Sequence, residues 1–168
     1  MNAEAVSPLV TTLSLPVQAP VDPNATSALV RRLADQFSAE WVSPANVDAW
    51  CQGEGDHVLL LAGDAVRFPE GQDVAVVLPE LRRCSSKPFA IGVVQRDDED
   101  SVARRFGCNR WPSLVFVRDG AYVNTLSGMH DWDVYLARVA ECLAMPPSRA
   151  PSIGIPVVNG NAAANTCH

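Results

Sequence analysis

Apolar positions along this chain switch repeatedly between helical and strand spacing. Leu29, Val30, Leu33 and Phe37 recur three and four residues apart, which predicts an amphipathic helix over Ala28 to Phe37, with Thr26 or Ser27 placed to cap it. Ala39 to Val42 reads as a short edge strand. Ser43 is expected as the next N-cap, with Pro44 at the first helical position. That helix runs to about Cys51 with Val47 and Trp50 turned inward, and Gly53 and Gly55 end it. Val58 to Ala62 is apolar without alternation, the mark of a central strand covered on both faces. Val74, Val77, Leu78 and Leu81 fall at helical spacing in a Val-rich stretch, so period and propensity disagree. Pro79 does not suit a central strand, and a helix kinked at Pro79 is the reading that follows.

Phe89 to Val94 is the next buried strand. Asp97, Asp98, Glu99 and Asp100 then precede Val102, Ala103 and Phe106, placing acids at the positive end of a short helix that Gly107 closes. Ser113 to Val117 and Ala121 to Ser127 flank Asp119-Gly120, a hairpin signal. Asp131 is expected to cap a last helix whose inner face is Trp132, Leu136, Val139 and Leu143, and Pro146 ends it. After the first helix, strands alternate with helices before the hairpin and the closing helix. This order predicts an α/β domain with a mixed central sheet and helices on both faces.

The chain divides into an irregular N-terminal arm at 1–24, carrying Pro8, Pro16, Pro20 and Pro23, a compact domain at 25–145, and a flexible tail at 146–168. At 168 residues it is long enough for one domain with a sizeable core. The net charge of −6 disfavours nucleic acid and anionic lipid as partners and suits a basic one. No apolar run approaches the ~18 residues of a membrane span, and Met1 to Pro20 lacks a positive region ahead of an apolar stretch. The expectation is a cytoplasmic protein with no membrane insertion.

Cys51, Cys84, Cys108, Cys142 and Cys167 contain no C-x-x-C pair and no zinc-type spacing, so they read as reduced thiols. Cys51 and Cys142 fall on helices and read as packing residues. His57 and His130 stand apart from other ligand types, and Cys167-His168 supplies only two ligands on a tail. No metal and no cofactor is expected. There is no Ser-His-Asp pattern, P-loop or G-x-G-x-x-G. One enzymatic alternative stays open, a thiol–disulfide redox protein using an isolated cysteine, Cys108 or Cys84.

The stretch Arg105-Phe106-Gly107-Cys108-Asn109-Arg110-Trp111-Pro112-Ser113, followed by a strand, a charged Gly turn, a second strand and Gly128, resembles thioredoxin. The resemblance covers about 110 residues and implies a thioredoxin-like fold with a cis bond at Trp111-Pro112. Where thioredoxins carry their C-x-x-C, this chain has Arg67-Phe68-Pro69-Glu70-Gly71-Gln72-Asp73-Val74, with no cysteine. Exchange chemistry needs a thiolate and a resolving thiol, and neither is present there.

Gly63-Asp64, Arg67 to Glu70, Asp73 to Leu81, Arg110 to Ser113 and Gly128 to Trp132 resemble a narrower family, the hydrogenase expression/formation proteins of the HyaE/HupG/HoxO group. That resemblance implies a non-catalytic chaperone for the iron–sulfur small subunit of an uptake [NiFe]-hydrogenase. It would hold the precursor by its twin-arginine signal peptide before export, and a further hydrogenase maturation chaperone is allowed as a second partner. The residues expected to meet the partner are Phe68, Glu70, Asp97, Asp98, Glu99, Asp100 and Trp111. Each also has an ordinary reading. The acids would be a solvated helix start, Phe68 to Glu70 a capped turn, and Trp111 a packing residue beside Pro112.

Overall fold

A computed structural model describes Asp22 and residues 25–151. All of the expected irregular arm at 1–24 except Asp22, and most of the expected tail, therefore lie outside the described residues. Five strands and five helices follow one another as α1 Ala28–Phe37, β1 Glu40–Val42, α2 Val47–Cys51, β2 Asp56–Leu61, α3 Glu70–Cys84, β3 Phe89–Val94, α4 Arg96–Arg105, β4 Ser113–Arg118, β5 Ala121–Ser127 and α5 Trp132–Ala144. They form one sheet in the order β1-β3-β2-β4-β5. β3 runs parallel to β1 and β2, whereas β4 is antiparallel to β2 and β5. This is the mixed sheet the element order predicts.

The unbroken apolar run at Val58 to Ala62 has a simple cause. Successive strand side chains point to opposite faces, and both faces are covered. Val58, Leu60 and Ala62 join one core with Leu33 of α1, Leu78 of α3 and Tyr135 of α5. Leu59 and Leu61 join a second core with Trp50 of α2 and Val102 of α4. The same division splits Leu114 and Phe116 from Val115 and Val117 on β4. β2 begins two residues before the apolar run because Asp56 faces Arg118 across the antiparallel ladder and accepts from its Nε at 2.7 Å.

Several local expectations are corrected by packing. Ser27 does cap α1, its Oγ accepting from Leu29 N and Val30 N. Thr26 instead turns to α4, and its Oγ1 accepts from Arg96 N at 3.0 Å. The second helix does not start at Pro44. Ser43 O accepts from Asn46 N and Val47 N, Asn46 Oδ1 accepts from Ser43 N, and this closed turn delays α2 to Val47. The Val-rich stretch is a helix, as its period predicts, and α3 includes the buried Pro79 and runs to Cys84. On α5, Trp132 is 41 % exposed. Tyr135 takes the expected inward position, and its hydroxyl donates to Gly128 O at 2.9 Å. The aromatic that can satisfy its polar atom inside is the one that is buried. Asp131 sits at the N-cap position without a side-chain bond to the helix.

Residues 146–151 are not helical, yet Ser148 is held on β5. Its N donates to Tyr122 O, and its Oγ donates to Val123 O at 2.9 Å. No helix among the described residues is long and apolar enough to cross a membrane.

Candidate functional site

The β2–α3 connection and the loop before β4 meet at the end of the sheet and build one surface. Asp64 shapes the first loop: its Oδ1 accepts from Val66 N at 2.7 Å and from Arg67 N at 3.2 Å, and its carbonyl accepts from Phe68 N. These bonds bring Phe68 against Trp111, with ring centroids 5.9 Å apart and planes inclined by 25°. Arg67 lies over the Phe68 ring, its Cζ 5.2 Å from the centroid. The second loop is fixed from below. The Trp111-Pro112 bond is cis, as the thioredoxin resemblance implies. Pro112 O accepts from Gly128 N, and Ser113 Oγ donates to Arg110 O at 2.7 Å.

Gly63 is the hinge between these parts. Its φ of +83° lies in the left-handed region, and an added Cβ would sit 2.9 Å from both Phe68 and Trp111 ring carbons. Glycine is therefore required twice over, by backbone and by space. The aromatic pair has filled the place above it.

The acidic run is not what its sequence suggests. Expected as a four-carboxylate patch, it contributes exposed Asp97 and Asp100 and half-buried Asp98, whereas Glu99 is 1 % exposed. Period explains this, since the third acid of a helix carrying Val102 and Ala103 inward falls on the same inner face. Glu99 Oε1 accepts from Ala62 N at 2.6 Å and Oε2 from Gly63 N at 2.9 Å, so α4 is tied to the end of β2 just behind the aromatic pair. Arg96 Nη1 reaches Glu99 Oε2 at 3.4 Å and Asp100 Oδ1 at 3.1 Å. Burial pushes the Glu99 carboxyl up to about 7, against the opposing pull of Gly63 N, Ala62 N and Arg96. A buried carboxylate serving the fold is thus removed from the expected partner-binding set in its role as a free surface charge. Glu70, the first residue of α3, is exposed.

Of the two thiols of the redox alternative, Cys108 is buried and Cys84 is exposed but distant from this surface. Cys108 is 8 % exposed, and burial pushes its pKa up, with Thr125 opposing. A raised pKa depletes the thiolate that would attack. Cys84 is exposed but ends α3, whose other end carries Glu70, roughly 20 Å away by helical rise. Cys51 and Cys142 are buried as expected, and burial raises Cys51 to about 11. Among the described residues no three His, Cys, Asp or Glu side chains gather as a metal site. We expect insulin reduction by dithiothreitol to proceed at the uncatalysed rate in the presence of this protein. Turnover that disappears in Cys108→Ser would reinstate the redox reading.

Sequence reasoning found Phe68 and Trp111 but not Glu99's role or the groove beside them. This groove, about 730 Å³, is lined by Arg67, Phe68, Arg96, Asp100, Arg104 and Arg110 among others. Its arginines come from three separate chain segments, so no local charge run signals them.

A model of the family described as Hydrogenase-1 expression protein HyaE matches residues 29–135. The chain is 54 % identical over 147 residues to the hydrogenase expression/formation protein HoxO of Cupriavidus necator, covering 86 % of this chain and 91 % of that protein. It is 38 % identical over 101 residues to the hydrogenase expression/formation protein HupG of Bradyrhizobium diazoefficiens, covering 60 % and 68 %. Among solved structures, a mutant thioredoxin from Halobacterium salinarum aligns with a TM-score of 0.51 over 77 % of this chain and 100 % of its own, at 16 % identity. That likeness concerns the fold, which is thioredoxin-like.

Proposed function

Since this chain belongs to the HyaE family of hydrogenase expression/formation proteins, we propose that it is a non-catalytic chaperone for the small-subunit precursor of an uptake [NiFe]-hydrogenase. It acts in the cytoplasm and holds the precursor through its twin-arginine signal peptide until export. The observation that carries this reading is the replacement of the dithiol loop by a Phe68–Trp111 stack within a family named for hydrogenase formation. The surface that would attack a disulfide is here apolar and aromatic, suited to contact without chemistry. Phe68 and Trp111 meet the apolar part of the signal, and Asp97, Asp98 and Glu70 face its basic start.

The test is capture of the small-subunit precursor by the tagged full-length protein, with the mature subunit lacking its signal as the comparison. Retention of the precursor and not of the mature form is expected. Equal retention of both would reject the signal peptide as the epitope, and retention of neither would reject the chaperone role.

Asp97→Asn with Asp98→Asn, leaving Glu99 in place, is expected to weaken capture several-fold at low salt, each exposed pair being worth ~0.2–1 kcal/mol. The difference should fade as salt rises above ~0.1 M, where exposed charges are screened beyond about 10 Å. Titration of both proteins at two salt concentrations checks this. Identical low-salt affinities would leave the acids as a solvated helix start.

A further inference from the structure

We infer that the groove beside the Phe68–Trp111 stack is a docking site for an acidic peptide segment of the partner protein, read by Arg67, Arg104 and Arg110. This deepens the chaperone reading and rests on it. It adds a second point of attachment, opposite in charge to the basic start of the signal.

The argument begins with a local reversal of sign. The chain as a whole carries −6. Yet the groove wall holds Arg67, Arg96, Arg104 and Arg110 against the single carboxylate of Asp100. Arg96 is engaged by Glu99 and Asp100. Arg67, Arg104 and Arg110 form no ion pair among the described residues, a state they share with Arg31, Arg32, Arg82 and Arg149, while Arg83, Arg96, Arg105, Arg118 and Arg138 are paired. Acids are plentiful on this chain, so three unpaired arginines on one groove are a local excess.

The side chains of Arg67, Arg104 and Arg110 are exposed, so their donors are open to a ligand. Guanidinium groups favour carboxylates because their planar donors match the two oxygens. The aromatic stack, with Arg67 laid over Phe68, borders the groove, whose lining also includes Ala103 and Cys108. With the apolar part of the signal on the stack, the groove beside it takes an extended segment in which carboxylates alternate with apolar residues.

The segments outside the described residues do not carry this pattern. Residues 152–168 contain no Asp or Glu, and residues 1–21 contain only Glu4. The volume of about 730 Å³ also lies within the usual range of 300–1,000 Å³ for binding clefts. A basic signal start is repelled from this groove by the same three arginines, so the acidic segment comes from elsewhere in the partner.

The test uses a fluorescently labelled short peptide of alternating Glu and Leu, and the same peptide with Gln for Glu, against the full-length protein by anisotropy. Saturable binding of the Glu peptide and at least tenfold weaker binding of the Gln peptide are expected. The Arg67→Gln/Arg104→Gln/Arg110→Gln variant should lose about tenfold in affinity, in line with three exposed charge pairs. The corresponding Lys variant keeps the charge but loses the paired guanidinium donors, and should bind more weakly than the parent and more tightly than the Gln variant. Equal binding of both peptides, or an unchanged affinity in the Gln variant, would overturn the proposal. So would binding of inorganic phosphate at this site without binding of the Glu peptide, which would make it a simple anion site. Precursor capture separates the two readings. Capture that persists when the Glu peptide does not bind removes only the acidic groove, and failed capture with intact peptide binding removes only the choice of partner.

Discussion

Gly71→Ala is expected to lower the urea midpoint of unfolding, although helix propensity alone predicts the opposite. Gly71 lies in the first turn of α3, where alanine is worth about 1 kcal/mol more than glycine in helix propensity. An added Cβ would sit 2.8 Å from the Ala62 carbonyl carbon and nearer still to its oxygen. Both partners are backbone, so no rotamer change relieves the contact, and α3 or the end of β2 must move. Overpacking of this kind costs about 1–3 kcal/mol and occasionally more. With neither backbone free to yield, the upper end applies, leaving a net loss of about 2 kcal/mol after the propensity gain. The shift also displaces Phe68, because Gly71 N donates to Phe68 O. Equilibrium unfolding in urea measures the loss, and an unchanged or raised midpoint would refute it.

Glu99→Ala carries the second large effect, and its size depends on pH. Removing the carboxyl leaves the buried Ala62 N and Gly63 N without their acceptor, a loss of about 2–3 kcal/mol. In the parent protein the folded-state pKa is raised from 4.5 to about 7 by burial. A raised carboxyl pKa means that the folded state holds the proton longer than the unfolded state. Stability from this group is therefore complete below pH ~4.5 and is lost as pH rises through 7. At 1.36 kcal/mol for each pKa unit, the loss between pH 5 and pH 8 reaches at most roughly 3 kcal/mol. The alanine variant lacks this slope, so the gap between parent and variant should narrow from pH 5 to pH 8. Urea denaturation of both proteins at three pH values in that window checks it. A gap that widens with pH would show that Glu99 is held as a carboxylate by its donors instead.

The fold was legible in the sequence wherever one local signal and one burial requirement agreed. Leu29, Val30 and Leu33 marked α1, with Ser27 as its cap. The run at Val58 to Ala62 announced a strand with two covered faces, and Asp119-Gly120 announced the hairpin, whose two residues both take positive φ. The missing cysteines between Arg67 and Val74 were equally plain, since absence at a known position needs no geometry. Phe68 and Trp111 were each visible as residues of interest, but not as a stacked pair, because they lie 43 positions apart and only the closure of the sheet brings them together.

Three features belonged to tertiary structure alone. Trp132 and Tyr135 both fit an apolar helix face by period. The choice between them fell to Gly128 O, which satisfies the Tyr135 hydroxyl inside. Glu99 reads in sequence as one of four equivalent acids. Its burial follows from the rotation of α4 against β2, which turns one carboxylate toward two free backbone amides and leaves Asp97 and Asp100 in water. The cationic groove is assembled from Arg67 on one loop, Arg104 on α4 and Arg110 on another loop. Linear composition reports an acidic chain because it sums charge over all residues, whereas a partner meets only the charges that folding brings to one surface. The sequence by itself determined the elements, their order and the loss of the dithiol. Long-range packing decided which acids stay exposed, which aromatics pair and where the arginines converge, because each of those depends on neighbours that only the closed sheet provides.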